Sequence, residues 1–448
     1  MRRILLLISF FASTALQSLL GQVYSFGGDG LEEASDIVVC ANQDILMIGT
    51  TSSDASNGAN VYVLRTDTNF QCIWSLSLGG AGIEEGVTVV ENTDQELLVI
   101  GNTSSTNNNG YGMIVWKLDS NGELLWSQTY GGSNWDFATH GVAVSDGSYW
   151  ITGRTYSFGN GATDAMLLHI DANGSIINQW TYGTALEDEF VDLDFLNDGT
   201  MLLTGNQRTD DTTCLGWLAT INADGILSNF NFFGNDTLSA YIHHTLVHDD
   251  YIVHCGHTYQ NGIESSYLRR LFQNGSVDWE RLEYLELNES YLKTALHNSS
   301  YYIASVSKVV GLGGTDGILY RRSINGWYED AMIYGNNQDG DFVSIVSHPN
   351  GWFYAIGDYK FQNADGVFVA YKQLSEPLTN DPQGDQIPLE CFTVDLEEHV
   401  FAKNIIRSIY FDWQGKIISM PDPSSCYLRL DTFTDGTNRI IKFCSTAD

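Results

Sequence analysis

Short apolar segments separated by polar turns run through most of the chain. In a representative stretch, residues 86–90 are apolar and β-branched, and an Asn-Thr-Asp turn leads to the next predicted strand at residues 96–101. A polar loop leads on to residues 112–118, and an Asp-Ser-Asn-Gly turn leads to residues 124–130. Segments of this length, bounded by Asn, Asp and Gly, predict four short antiparallel strands.

The four-strand pattern repeats with a period of 51 or 52 residues, and two glycine series mark it. The first series stands at residues 27, 79, 131, 183, 234 and 335, and the second stands 22 residues further on in every copy. Residues 301–305 imitate the segment around Gly101 without its glycine. Tryptophans recur on the predicted fourth strands, where we expect them to pack between units rather than to stack on a ligand: Trp74, Trp126, Trp180 and Trp279. A repeat of this length predicts one structural unit per period.

Four antiparallel strands per period, repeated radially, predict an all-β fold, a seven-bladed β-propeller from Gly27 to about Leu374. The last period lacks a fourth strand, and residues 23–26 match the end of one. We therefore expect the N-terminal strand to close the last blade, which leaves no open sheet edge. A linear β-solenoid is the structural alternative, although its rungs are usually much shorter.

Three motifs carry a resemblance to a known class of proteins. The unit G-G-x-x-x-(E/D), x-I-G-x-T-S and W-K-L-D-x-N-G-x-x-x-W resembles the secreted bacterial β-propeller-repeat proteins over about residues 23–374. The last forty or so residues, with strand-like segments at 409–418, 426–430 and 439–443, are similar to the C-terminal sorting domain of the type IX secretion system. The first resemblance implies a fold and no activity. A small β accessory domain is the alternative for the second.

The chain ends and the charge predict an exported protein. Arg2 and Arg3 precede an apolar stretch at 4–20, which is typical of a secretory signal peptide. The expected domains are a signal peptide at 1–21, the propeller at 22–376, a linker at 377–390 and a small C-terminal β domain at 391–448. The protein would then be secreted or held at the cell surface of a Gram-negative bacterium.

The net charge of −34 argues against nucleic acid and anionic membranes as partners, and no further segment is apolar enough for membrane insertion.

Seven cysteines are present without a C-x-x-C motif, so zinc-ribbon and thioredoxin-like sites have no support. Export permits disulfides. We predict one between Cys426 and Cys444, because the turn signal Asp435-Gly436 lies midway between them and would pair the flanking strands.

Two polar positions recur at fixed distances from the first glycine of each repeat. Nine residues after it stand six candidate channel-lining residues: Asp36, Thr88, His140, Asp192, His243 and Ser344. They would face a ligand or a hydrated plug on the propeller axis. Five or six residues after it stand five candidates for an acidic rim: Glu32, Glu84, Asp136, Asp188 and Asp341. Such a rim would attract cations or a basic partner, but we favour carboxylates that accept hydrogen bonds within the fold.

Half of the histidines are concentrated on the fifth repeat and form the weak candidates for metal ligands: His243, His244, His248, His254 and His257. A divalent cation is the one cofactor that this pattern suggests, and polar strand residues are the favoured alternative. No G-x-S-x-G, Walker or dinucleotide motif is present, so no catalytic residue is assigned.

The resulting interpretation is a binding or interaction module with a protein or carbohydrate ligand. The rival is a hydrolase or lyase that acts on an extracellular polymer through channel-mouth His and Asp residues, and a purely structural surface protein is a third alternative. Convergence of His140, Asp192 and His243 beside a pocket would favour the enzyme. Exposed aromatic side chains on one face would favour the binding module.

Overall fold

The computed structural model is all-β in the residues that it describes. These are 22–27, 30–53, 58–105, 110–210, 212–222, 224–282, 289–308, 315–334, 340–361 and 364–374, with the strands at 405–411, 417–418, 427–433 and 438–443. The signal peptide and the linker predicted from the sequence lie outside the described residues. None of the described segments forms a helix with the length and apolar character needed to cross a bilayer.

Six four-stranded antiparallel sheets, here called blades 1 to 6, are each formed by four consecutive strands. Blade 1 comprises β2 (Glu32–Val39), β3 (Ile45–Thr51), β4 (Asn60–Thr66) and β5 (Cys72–Leu78). Blade 2 comprises β6 (Glu84–Glu91), β7 (Leu97–Thr103), β8 (Gly112–Leu118) and β9 (Leu124–Tyr130). Blade 3 comprises β10 (Asp136–Ala143), β11 (Tyr149–Thr155), β12 (Asp164–Ile170) and β13 (Ile176–Tyr182). These strands follow the predicted repeat.

Blades 4 to 6 continue the same order with small changes in strand length. Blade 4 comprises β14 (Asp188–Phe195), β15 (Met201–Arg208), β16 (Cys214–Ile221) and β17 (Leu227–Phe233). Blade 5 comprises β18 (Ser239–His248), β19 (Tyr251–Gln260), β20 (Ile263–Phe272) and β21 (Val277–Leu282). Blade 6 comprises β22 (Glu289–His297), β23 (Ser300–Ser307), β24 (Asp316–Ser323) and β25 (Tyr328–Tyr334).

A further sheet is composite, since its strands come from both ends of the repeat region. It comprises β26 (Ser344–Ser347), β27 (Trp352–Phe361), β28 (Ala364–Leu374) and the N-terminal β1 (Gln22–Phe26). β1 pairs antiparallel with β28, with Phe26 opposite Phe368. The predicted pairing of the N-terminal strand with the last repeat is thus confirmed. Six blades are continuous in sequence, and this sheet is not.

The first strands lie side by side in a closed circle, in the order β2, β6, β10, β14, β18, β22 and β26, and β26 in turn lies beside β2. A β-propeller is the architecture that places the first strand of each sheet at the centre. Because neighbouring strands are antiparallel, the connections between blades and the loops between second and third strands lie on the same face. We call this face of the ring the loop face.

The apolar core lies between neighbouring sheets. One cluster joins Ile48 and Val63 of blade 1 to Val99 and Trp116 of blade 2, with all four side chains buried. Another joins Phe26 of the composite sheet to residues of blade 1. Burying an aliphatic or aromatic side chain contributes about 1.5–3 kcal/mol, so each interface is strongly stabilised.

The recurring tryptophans support this packing from the outer strands. A Cβ on Gly122, in the turn after the third strand of blade 2, would lie 3.3 Å from a ring carbon of Trp74 in blade 1. Gly174 and Trp126 repeat the contact one blade further on. Gly122 has φ +87°, a conformation that glycine adopts without strain. The tryptophans therefore lie between blades, as expected from their repeat positions.

A separate antiparallel sheet near the C-terminus has the strand order β30-β29-β31-β32. These strands are β29 (Ile405–Phe411), β30 (Ile417–Ile418), β31 (Tyr427–Phe433) and β32 (Asn438–Phe443). Tyr427 lies opposite Phe443, which is the register expected if Cys426 and Cys444 face each other. The two cysteines themselves lie outside the described residues, so their disulfide stays a prediction. Among the described cysteines, Cys72 is disulfide-bonded, whereas Cys40, Cys214 and Cys255 are free and buried.

Candidate functional site

Seven polar side chains, one from each first strand, form what we call the axial cluster: Asp36, Thr88, His140, Asp192, His244, Lys293 and Ser344. Asp36 is the centre of one half. Its Oδ2 accepts a hydrogen bond from Thr88 Oγ1 at 2.6 Å. Its Oδ1 accepts one from Ser344 Oγ at 2.8 Å and forms an ion pair with Lys293 Nζ. Side chains of four first strands therefore meet at one carboxylate.

Asp192 is the centre of the other half. Its Oδ1 accepts the backbone N–H of Leu193 at 2.8 Å, and its Oδ2 accepts that of Thr245 at 2.7 Å. Two imidazoles flank it, with His140 Nε2 3.5 Å from Oδ1 and His244 Nε2 3.9 Å from Oδ2. Each oxygen of this buried carboxylate therefore has a backbone hydrogen-bond donor, and neither imidazole is required to satisfy it.

The electrostatics of the axial cluster favour a fixed pattern of charge. Burial opposes ionisation of Asp36, but the ammonium of Lys293 and the hydrogen bonds from Lys293 and Thr88 outweigh burial and lower the pKa of Asp36. Burial lowers the pKa of His244 to about 4, although the carboxylate of Asp192 opposes that shift. At neutral pH the cluster thus contains an ionised Asp36–Lys293 pair and an uncharged His244.

The structure corrects one predicted member, His243. The first strands of blades 1 to 6 carry a β-bulge at equivalent places, for example between Ala34 and Asp36, and between Ile242 and His244. The residue after the bulge points to the axis, and in blade 5 this residue is His244. His243 instead has its Nε2 2.8 Å from His257 Nδ1. Counting nine residues from the glycine fails here because the equivalent residue is the tenth.

The shift in blade 5 is hidden in the sequence by two changes that cancel. The connection from Gly234 to His244 is one residue longer than the corresponding segment from Gly27 to Asp36. The turn between β18 and β19 is shorter, since only residues 249 and 250 separate these strands, whereas residues 40–44 separate β2 and β3. The distance between the two repeat glycines therefore stays at 22 residues.

Lys293 is the axial residue that the sequence analysis missed, because blade 6 lacks both repeat glycines. Ser305 pairs with Tyr291 just before the bulge, as Gly49 pairs with Ala34. Ser305 therefore occupies the second glycine position of blade 6. The number of residues from Lys293 to Ser305 equals the number from His244 to Gly256 in blade 5, and this spacing would have revealed the lysine.

The acidic residues proposed as a rim are not exposed at the loop face. Glu32, Glu84, Asp136 and Asp188 are all at most 2% exposed. Glu84 shows their role, since it accepts hydrogen bonds from Thr103 Oγ1 at 2.7 Å and from the backbone N–H of Gly80 at 2.7 Å. Asp341 is half-buried and accepts the backbone N–H of Asp358 at 3.0 Å. These carboxylates join the connection between blades to the end of the second strand.

The five candidate metal ligands do not come together. His248 contacts Tyr301 Oη at 2.7 Å, and His254 contacts Tyr267 Oη at 3.1 Å. His244 lies in the axial cluster, and His243 lies with His257. Across the residues that the structure describes, no three His, Cys, Asp or Glu side chains are arranged to hold a metal ion. The sequence cluster reflects one hairpin whose residues alternate between its two faces.

An aromatic group on the loop face was not anticipated from the sequence. We call it the Trp135 cluster, and its members are Tyr111, Trp135, Phe137 and Tyr156. The Trp135 ring centroid lies 5.9 Å from Tyr111, 6.1 Å from Phe137 and 6.3 Å from Tyr156. Trp135 and Tyr156 are 46% and 44% exposed. Contiguous exposed apolar patches on a protein surface often mark interaction sites.

Charged and polar groups border the Trp135 cluster. The Arg154 guanidinium lies over the Phe137 ring at 5.2 Å and forms an ion pair with Glu189 at 3.1 Å. The Asn134 amide donates to the Tyr156 carbonyl at 3.3 Å. Burial and the carboxylates of Glu85 and Glu84 raise the pKa of Tyr111, so this phenol stays protonated as a hydrogen-bond donor.

Comparisons with known proteins leave the interpretation to the site itself. No family model and no curated protein matches the chain. The phage phi92 endosialidase is similar in structure at 11% identity and a TM-score of 0.46, over 96% of this chain and 88% of that one. The β-propeller domain of the Trilobed protease from Pyrococcus furiosus is similar at 10% identity and a TM-score of 0.47, over 80% of this chain and 99% of that one. Polysaccharide lyase Uly1 is similar at 10% identity and a TM-score of 0.49, over 78% of this chain and 90% of that one. Likenesses at this level do not indicate an activity for this chain.

Proposed function

We propose that this chain is an exported, cell-surface β-propeller that acts as a binding module. In this proposal the composite sheet serves as the seventh blade of a closed ring. The single observation that carries the binding role is the Trp135 cluster, which presents exposed aromatic rings on the loop face. Aromatic side chains contribute large contact areas at small entropic cost, and binding sites are rich in them.

The axial cluster fits a role in the fold better than a role in binding. Asp36 is 4% exposed and its two oxygens are bonded to side chains of other first strands. Asp192 is 3% exposed and accepts two backbone N–H groups. Groups that are already saturated and buried gain little from a ligand, because binding would exchange one hydrogen bond for another.

Export remains part of the proposal and rests on the sequence. Arg2, Arg3 and the apolar stretch at 4–20 are typical of a signal peptide, and the C-terminal segment resembles a type IX sorting domain. Deleting residues 391–448 should leave the protein in the periplasm of a bacterium with that system. Unchanged delivery to the cell surface would contradict the sorting role.

The hydrolase or lyase alternative has one observation in its favour, which is the pair of imidazoles beside Asp192. One experiment separates it from the binding module. The purified chain from residue 22 is incubated with immobilised cellulose, chitin, xylan and alginate and with outer-membrane vesicles, while released sugars are measured. We expect saturable binding without product. Product formation that is lost in Asp192→Asn would favour the enzyme, and the absence of binding to every surface would contradict the module.

A further inference from the structure

The residues of the Trp135 cluster are departures from the repeat. Equivalent positions in blade 1 hold Leu31, Glu33 and Ser52 where blade 3 holds Trp135, Phe137 and Tyr156. In blade 2 the same positions hold Ile83, Glu85 and Ser104. The fold is therefore made without these rings, and a requirement other than folding accounts for them.

The local hydrogen bonds of the fold are kept in spite of the changed side chains. The backbone N–H of Tyr156 donates to the Trp135 carbonyl at 2.8 Å, just as that of Ser52 donates to the Leu31 carbonyl at 2.8 Å. Ser157 Oγ accepts the Asn134 N–H at 2.9 Å, as Ser53 Oγ accepts the Gly30 N–H at 2.8 Å. The rings are thus mounted on a rigid, hydrogen-bonded connection, which is the support that a preorganised site needs.

The rings support one another without covering the indole by a parallel ring. Trp135 meets Tyr111, Phe137 and Tyr156 at interplanar angles of 69°, 85° and 69°. A Cβ on Gly110 would lie 2.3 Å from the Trp135 ring, so the indole rests on backbone that only glycine provides at this distance. This packing orders the rings before a ligand arrives and lowers the entropic cost of binding.

We infer that the Trp135 cluster is a binding site for a neutral, pyranose-containing glycan, an inference that rests on the proposed binding function. The axial C–H groups of a pyranose form an apolar face that fits an exposed indole or phenol ring, while the equatorial hydroxyls need polar partners at the edge. The Tyr111 hydroxyl, the Arg154–Glu189 pair and the Asn134 side chain are polar groups of that kind at the edge of the cluster.

The charges at the site select against polyanions. The carboxylates of Glu84 and Glu85 interact electrostatically with Tyr111, and the guanidinium of Arg154 is already paired with Glu189. The chain as a whole carries 34 more negative than positive charges. A ligand with many carboxylates or sulfates would be repelled, whereas a neutral glycan is not affected.

Isothermal titration of the full chain with cellohexaose, chitohexaose and alginate tests this inference. We expect one neutral hexasaccharide to bind, alginate not to bind, and Trp135→Ala and Tyr156→Ala each to weaken binding at least about tenfold, as loss of a central aromatic contact does. Trp327→Ala is the matched control, since Trp327 is 61% exposed on blade 6, away from the cluster. It should bind like the unaltered chain.

Three other outcomes would overturn the inference without overturning the proposed function. Undiminished glycan binding by Trp135→Ala would place the site elsewhere and leave the binding module intact. Binding of alginate in preference to both neutral hexasaccharides would overturn the ligand class. If neither hexasaccharide binds while outer-membrane vesicles do, the inference of a neutral glycan fails and the binding module stands.

Discussion

The axial cluster and the Trp135 cluster use repeated positions of the same fold in opposite ways. In the axial cluster, every first strand contributes a polar residue, and the two buried carboxylates are bonded inside the ring, Asp36 to side chains and Asp192 to backbone N–H groups. In the Trp135 cluster, blade 3 holds aromatic rings at positions where blades 1 and 2 hold Leu or Ile, Glu and Ser, and the rings of Trp135 and Tyr156 are exposed. The difference indicates that positions kept polar around the whole ring hold the ring together, and that positions that vary between blades carry the specific function.

The largest expected effect on stability should come from opening the ring that holds the axial cluster. Deleting residues 22–26 removes β1 and with it the buried ring of Phe26. Loss of one such ring costs about 3–5 kcal/mol, and the deletion also exposes the edge of β28. We expect the urea midpoint to fall by more than it does in any single substitution.

The milder variant Phe26→Leu, which keeps an apolar side chain, should lose only about 1–2 kcal/mol. An unchanged urea midpoint after the deletion would show that the ring does not depend on its N-terminal strand.

The axial cluster should respond strongly to the loss of one charge. Asp36→Ala leaves the half-buried ammonium of Lys293 without its partner, which costs at most about 3–5 kcal/mol of unfolding free energy. The double variant Asp36→Ala with Lys293→Met should recover much of that loss. Glu33→Ala is the control, because Glu33 lies on the same strand and is exposed. Chemical denaturation of the four proteins makes the comparison, and equal losses for Asp36→Ala and Glu33→Ala would contradict a structural role of the axial carboxylate.

A smaller effect should appear as the pH falls. The pKa of His244 in the fold is about 4 and that of His243 about 3, both because of burial, and both lie below the ordinary value of 6.5. As the pH falls, the histidines of the unfolded chain therefore take up protons before those of the folded chain. The contribution of these two histidines to folding stability is fully present above about pH 6.5 and is lost as the pH drops towards 4. Melting temperatures across this range should fall less steeply for His244→Gln. Parallel pH profiles for the variant and the unaltered chain would exclude His244 as a source of the decline.

Most of the fold followed from the sequence because the repeat constrains it many times over. The glycine series has a visible cause, since a Cβ on Gly153 would lie 2.0 Å from the carbonyl oxygen of Phe137 at the bulge. The same bulge recurs in the first strands of blades 1 to 6, and the glycine stands opposite it in the first five of them. The role of β1 could be predicted because a missing fourth strand at one end matched an isolated strand at the other.

The candidate sites were harder to predict, for two physical reasons. His243 and His244 are adjacent residues that point in different directions, so an error of one residue moved the prediction to the wrong side of the strand. The Trp135 cluster joins a loop residue of blade 2, Tyr111, to three residues of blade 3, and only the folded ring brings them together. Comparing these repeat positions with those of blades 1 and 2 would have revealed Trp135, Phe137 and Tyr156 as departures.

One triple variant tests the central claim that the side chains of the Trp135 cluster bind the ligand, whereas the polar positions shared around the ring stabilise the fold. The substitutions Trp135→Leu, Phe137→Glu and Tyr156→Ser give blade 3 the residues that blade 1 holds at the same positions. The measurement is its melting temperature together with titration by the hexasaccharide that binds the unaltered chain. We predict an almost unchanged melting temperature and no detectable binding. Retained binding would contradict the binding role of the Trp135 cluster. A protein that no longer folds would show that the fold depends on these three side chains.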